Sequence, residues 1–194
     1  MTDPAKPDAH RTKRFGERTV YDSEWVRLTL VDVQTPDGRK FEHHVVHMKP
    51  VAIAALVNDD DEVLMVYRHR FATDEWGFEL LGGLLEADER PDDAAAREAL
   101  EESGWVPVGK PEHLARLQPL PGMVDAPMDI YLWRTFEKVG EPSDAEEAGE
   151  LRWVPLAQVP RLIADQCVLG AGTLVALLQL VAMAAGTEFR PSAS

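Results

Sequence analysis

Three glutamates at helical spacing carry more negative charge than a fold needs at one place. In the stretch from Gly83 to Trp105, GLLEADERPDDAAAREALEESGW, the run Arg97-Glu98-Ala99-Leu100-Glu101-Glu102 sets Glu98, Glu101 and Glu102 at i, i+3 and i+4. On a helix these share one stripe about 100° wide. Each like-charged neighbour pair costs about 0.2–0.5 kcal/mol on an isolated helix, so the stripe favours a cation held over it. Its donors are hard oxygens with no Cys or His beside them, which suits Mg²⁺, with Mn²⁺ second. A solvated acidic face is the other use of such a stripe. The helix itself is well marked: Pro91 suits N1, Asp92 and Asp93 suit the positive end of the dipole, and Gly104 suits the C-cap, so the pattern predicts a helix over 91–103.

Around this helix the chain must build a scaffold. Its 194 residues, 45% of them hydrophobic, suffice for one sizeable core. A formal charge of −14 with no clustered basic face argues against a nucleic-acid partner. Cys167 is the single cysteine, so no internal disulfide forms and a reducing, cytoplasmic setting is expected. The most apolar run, 174–185, is short for a bilayer and contains Gln179, so no membrane partner is expected. Residues 1–17 read as a flexible tail, 18–48 as an antiparallel β-hairpin turned by Pro36-Asp37-Gly38, 49–188 as the main domain and 189–194 as a C-terminal tail. Strands are predicted over 25–33, 41–48, 51–57, 63–70, 78–81, 113–117, 128–136 and 151–154, and closing helices over 156–165 and 173–185. The run 51–57 is apolar throughout, as in a strand covered on both faces.

Taken together, Gly83, Glu89, Arg97-Glu98, Glu101-Glu102 and Gly104 follow the signature of the Nudix hydrolases, with Trp105 standing where that family usually has an aliphatic residue. The resemblance implies an α/β/α sandwich with a mixed β-sheet and the N-terminal hairpin as an extension. Thr35-Pro36-Asp37-Gly38-Arg39, Val66-Tyr67-Arg68-His69-Arg70, Glu79-Leu80-Leu81-Gly82-Gly83 and Pro121 further resemble the ADP-ribose pyrophosphatase branch. That branch exchanges its N-terminal hairpin between subunits, so a homodimer is implied. The implied activity is Mg²⁺-dependent cleavage of the P–O–P bond in a nucleoside diphosphate linked to a second moiety, with ADP-ribose or a related nucleotide sugar as the expected substrate and AMP and ribose 5-phosphate as products.

A pyrophosphate presents charge that cations must offset in the transition state. Glu98 and Glu102, one turn apart, are the expected metal ligands; Glu101 holds a second ion or positions the attacking water. By resemblance the Gly82 carbonyl joins them. Gly83 allows close backbone approach, Glu89 reaches the cluster from its loop, and Arg97 pairs with Glu89 as a brace. Arg68 and Arg70 alternate on a strand and so face one side, as phosphate contacts or as charges on an edge strand. Glu79, Gly122 and Met123 complete the expected substrate contacts. Two positions depart from the branch: Leu81 replaces a proline, and Ala126 stands where a catalytic glutamate is usual. Asp125 and Asp129 are the neighbouring carboxylates; if neither acts, Glu101 must activate the water. His43 and His47 lie about 13 Å apart on a strand, too far to share one zinc. A non-catalytic Nudix-like nucleotide sensor is the alternative; an isomerase of the same fold needs an active-site cysteine, for which Cys167 is poorly placed.

Overall fold

The structure, a computed structural model, describes residues 8–143 and 149–187. Residues 1–7, 144–148 and 188–194 lie outside them, and with them the start of the N-terminal tail and the whole of the C-terminal tail. Strand β1 spans Lys13–Asp22, β2 Val26–Gln34 and β3 Lys40–Met48; β4 is Val51–Leu56, β5 Glu62–Arg70, β6 Glu75–Glu79 and β7 Leu81–Leu84. Helix α1 follows at Pro91–Ser103, then β8 at Trp105–Pro107, β9 at Glu112–Leu117, β10 at Val124–Asp125, β11 at Met128–Trp133, β12 at Phe136–Lys138 and β13 at Glu150–Pro155. A 3₁₀ turn, Leu156–Gln158, leads into α2 at Val159–Ala164, and α3 at Ala171–Ala184 closes the described chain. No helix among the described residues is long and apolar enough to cross a membrane.

The chain divides into two compact units. The first holds the described residues up to Lys49 together with Leu120–Ala126. Its sheet runs β1-β2-β3-β10, antiparallel except for the parallel β10–β3 pair. The expected hairpin is therefore the centre of a larger sheet, and the stretch read as a tail to residue 17 is a strand from Lys13, paired Lys13↔Gln34. All ten β1 residues are exposed, and its register shifts near Arg14/Gly16 and Thr19/Tyr21. Such a strand is held by its backbone ladder and leaves little alternation in the sequence to mark it.

The second unit is built on β4. Ala52, Ala54 and Leu56 pack with Ala94, Ala95 and Ala99 of α1, whereas Ile53, Ala55 and Val57 pack with Ala176, Leu177 and Leu180 of α3. Period-two alternation along one apolar strand thus feeds two cores, giving the α/β/α layering. β4 lies between β7 and β11 in the order β7-β4-β11-β9, antiparallel to the first and parallel to the second. The three buried alanines let α1 approach the sheet closely. β13-β5-β6 forms a second antiparallel sheet, and β12-β8 a small ribbon. Trp105, the unusual signature residue, meets Phe136 and Trp153 edge-on at 5.4 and 5.6 Å, so its bulk is spent on packing.

Two expected strands divide. Residues 78–81 fall partly in β6 and partly in β7, which belong to different sheets, and Gly82-Gly83 lie inside β7 rather than in a loop after it. Residues 128–136 break at Arg134-Thr135 because β12 leaves β11's sheet to pair with β8.

Candidate functional site

Helix α1 starts at Pro91 and stops at Gly104, whose φ of 71° is the left-handed cap conformation; its N–H donates to the Leu100 carbonyl at 2.7 Å. Ala94, Ala95 and Ala99 pack against β4, Glu98 is set beside Gly83 of β7, Glu102 meets Gly82 of β7 and Arg68 of β5, and Glu101 meets Arg97 of its own helix. The side-chain exposures of Glu98, Glu101 and Glu102 are 14%, 41% and 2%.

Arg97 organises the outer pair. Its Nη1 lies 2.8 Å from both Glu98 Oε1 and Glu101 Oε2, while Nε and Nη2 donate to Glu89 at 2.9 and 3.1 Å. Nη2 also reaches the Leu84 carbonyl at 3.2 Å, tying the helix to β7. Glu89 accepts in addition the Glu86 N–H at 2.9 Å, so the loop before α1 folds back on its own carboxylate. Those hydrogen bonds, Arg97's first, hold the Glu89 carboxyl below the usual range, and Glu89 in turn raises Arg97.

Glu102 is engaged differently. Its Oε1 accepts from Arg68 Nη1 at 2.6 Å, and its Oε2 accepts the Gly82 N–H at 2.8 Å. Arg68 is 3% exposed and also grips Glu79, through Nε at 3.0 Å and Nη2 at 2.9 Å. Arg70, 40% exposed, binds Glu79 from its outer side, with Nη2 at 2.6 Å. Burial pushes the Glu79 carboxyl up, but the Arg70 hydrogen bond and the two guanidinium charges outweigh it and leave the carboxyl low. Both arginines do face one side of β5, and both are spent in part on Glu79; Arg68 lies too deep to act as a surface phosphate contact in this arrangement. They line a cavity of about 180 Å³ together with Ile53, Gly82, Met128 and the start of α3.

The two glycines are used at the backbone. A Cβ on Gly83 would fall into the Glu98 carboxylate, and one on Gly82 would lie 2.5 Å from the Ala52 carbonyl oxygen. Glu98 and Glu102 thus approach the Gly82-Gly83 backbone from one side, with β4 behind it.

The remaining expected residues belong to other segments of the chain. Gly122, Met123 and Asp125 belong to the first unit. There the Met123 carbonyl accepts the Val46 N–H at 2.9 Å, His43 Nε2 lies 2.7 Å from the Gly122 carbonyl, and Asp125 lies 3.6 Å from His47 Nδ1. His47 Nε2 contacts the Thr29 hydroxyl at 3.1 Å. Ala126 is buried. Asp129 lies 2.9 Å from His113 Nε2 on the β9–β11 pair. Sequence reasoning missed Thr173, whose hydroxyl accepts the Leu80 N–H at 3.1 Å from a helix far along the chain, and it missed the Arg68–Glu102 pair. No local spacing signals either.

Among the described residues no three His, Cys, Asp or Glu side chains already surround a metal-sized point. The donor chemistry nevertheless fits a hard divalent cation. Among the described residues five carboxylates, Glu79, Glu89, Glu98, Glu101 and Glu102, face three guanidinium groups, two negative charges more than the cations, and one Arg97 nitrogen sits between two of those carboxylates. An acid-rich helix beside a glycine backbone, with arginines adjoining, is a set of groups that can take a hard cation and an anionic phosphate together.

Comparison with known proteins agrees. Residues 47–168 match the NUDIX domain family, and the chain belongs to it as a Nudix hydrolase. It is 41% identical over 168 residues to a CMP-5'-(N-acetyl-N-hydroxy-3-aminopropyl)phosphonate hydrolase of Streptomyces rubellomurinus, covering 87% of this chain and 81% of that one. It is 28% identical to an ADP-ribose pyrophosphatase of Mycobacterium tuberculosis, over 91% of this chain and 86% of that one. A solved ADP compounds hydrolase shares the fold with a TM-score of 0.76 at 21% identity, covering 91% of this chain and 95% of that one. Enzymes of this family generally use a divalent metal ion such as Mg²⁺.

Proposed function

We propose that this Nudix hydrolase cleaves the P–O–P bond joining a nucleoside 5'-monophosphate to a second phosphoryl- or phosphonyl-bearing group, with Mg²⁺ or Mn²⁺ as cofactor. The observation that carries the reading is the approach of Glu98 and Glu102 to the Gly82-Gly83 backbone, with Glu101 joined to Glu98 through Arg97. Glu98, Glu102 and the Gly82 carbonyl would hold the cation, which supplies charge neutralisation at the phosphates and acidifies a water. Glu101, the most exposed of the three and held only 2.8 Å from Arg97, takes the proton of the attacking water. The water oxygen bonds to one phosphorus, the bond from that phosphorus to the bridging oxygen breaks, and the bridging oxygen leaves on the other group. Arg70 contacts the phosphates, and Glu79 holds its guanidinium in place.

Two observations favour a linked phosphonate or small phosphorylated group over ADP-ribose itself. Ala126 and Leu81 depart from the ADP-ribose pyrophosphatase pattern, and the relative at 41% identity is named for a CMP-linked phosphonate. The N-terminal sheet is assigned, on the resemblance above, to a homodimer. The test is hydrolysis by the purified chain with Mg²⁺ or Mn²⁺ of CMP-linked aminopropylphosphonates, ADP-ribose and CDP- and GDP-sugars. CMP release from the phosphonate conjugates should exceed turnover of ADP-ribose. Turnover that survives EDTA, or that is unaffected in Glu98→Gln, overturns the mechanism; ligand binding without turnover of any compound would make the protein a nucleotide sensor.

A further inference from the structure

Arg68 carries a charge that Glu79 does not need. Glu79 already holds Arg70 through both of its oxygens, and Arg68 adds two further contacts to that same carboxylate before extending Nη1 to Glu102. Glu102 is therefore closed on both oxygens by groups of its own chain, whereas Glu98 and Glu101 share Arg97. The stripe is divided between two guanidinium groups, and the deeper carboxylate belongs to the deeper arginine. Arg68 also borders the cavity of about 180 Å³ that Arg70, Gly82 and Met128 line.

We propose that Arg68 is an internal counter-ion for Glu102, yielding this carboxylate when a divalent cation binds and turning its Nη1 toward the adjoining cavity. The inference rests on the reading of Glu102 as a metal ligand. A guanidinium does not deprotonate, so it cannot make room for a second cation by losing its charge. Both Glu102 oxygens are taken, Oε1 by Arg68 and Oε2 by the Gly82 N–H, so a cation ligated through Oε1 displaces the Arg68 contact. Arg68 then turns as one rigid, planar fork about its side-chain torsions, and Glu79 keeps Arg70 on both of its oxygens when it does. Without a metal the contact has its own use, because a buried carboxylate stripped of its partner destabilises a fold. Arg68 thus keeps the metal-free protein folded at the expense of metal affinity. Released, its Nη1 becomes a donor for an anion in the cavity, so metal and anion binding reinforce each other, and the coupling is reciprocal.

The experiment titrates the full chain, stripped with EDTA, with Mn²⁺ alone, following heat in a calorimeter. Arg68→Gln should bind Mn²⁺ at least tenfold more tightly than the wild type and should gain more in Tm on Mn²⁺ addition. Equal or weaker binding by a variant with wild-type circular dichroism overturns the proposal. Should Arg68→Gln fail to fold, the wild type decides: slowly exchanging Arg68 Nη protons seen by NMR without metal should be lost on adding Mg²⁺, and their persistence at saturation overturns it equally. Mn²⁺ binding to neither protein refutes the metal reading itself, a different result from binding that ignores Arg68.

Discussion

Adding one methyl group at either of two adjacent glycines should separate the fold from the chemistry. At Gly82 the added Cβ meets backbone, 2.5 Å from the Ala52 oxygen and 2.9 Å from the Ile53 Cα, against an ordinary separation of about 3.5–4.0 Å. Ile53 faces Gly82 in the β4–β7 ladder, so relief means parting a four-residue strand from the central strand of the unit. Overpacking of this kind costs about 1–3 kcal/mol, and each weakened ladder bond adds roughly 1 kcal/mol. Gly82→Ala should therefore lose about 3–5 kcal/mol, much of a typical domain's stability of about 5–15 kcal/mol. At Gly83 the three atoms nearest the same methyl are all of the Glu98 carboxylate, the mobile end of a side chain. Glu98 swings away and gives up its Arg97 contact at 2.8 Å, a partly exposed pair worth about 1–2 kcal/mol. Gly83→Ala should fold, unfold cooperatively in guanidinium, and lose at least tenfold in both Mn²⁺ affinity and kcat/KM. Wild-type stability of Gly82→Ala, or wild-type activity of Gly83→Ala, would refute the reasoning.

Three more outcomes follow from the same geometry. Arg97→Gln leaves Glu89, Glu98 and Glu101 facing one another and should cost roughly 2 kcal/mol by denaturant unfolding, partly recovered in millimolar Mg²⁺. The arginine contacts hold the Glu79 and Glu89 carboxyls below the ordinary glutamate range in the folded chain, so the unfolded chain binds more protons in the acid range. Stability should hold level above about pH 5 and fall as pH drops through the folded values, as urea midpoints between pH 7 and pH 3 would record; a flat profile to pH 3 contradicts it. Glu101→Gln should lower kcat at least a hundredfold with KM little changed and Tm within a few degrees, whereas Asp125→Asn should leave kcat within a few fold; the reverse ranking would move the base to Asp125.

The helix and its stripe were legible because every signal there is local: Pro91, the two aspartates, Gly104 and the i, i+3, i+4 spacing. The unbroken apolar run over 51–57 likewise gave β4, and Ala52–Leu56 is buried on both faces. What stayed hidden depends on partners distant in sequence. Lys13–Asp22 is exposed along its whole length and has no alternation to reveal it as a strand. β10 is two residues long and is defined by its pairing with Val46 and His47. The arginines of β5 showed their common face, but nothing near them indicated that Glu102 would draw Arg68 inward.

The position of β4 bears on how the chain must be made. On a ribosome, the β1-β2-β3 meander can form once Met48 has emerged, because its contacts are all between neighbouring strands. β4 emerges next, yet its partner on one side is β7 and on the other β11, which ends at Trp133. For the whole interval of synthesis between them, a strand with no charged side chain has one unpaired edge. Nascent chains stalled before Trp133 should therefore recruit holding chaperones or aggregate, and those stalled well beyond it should not.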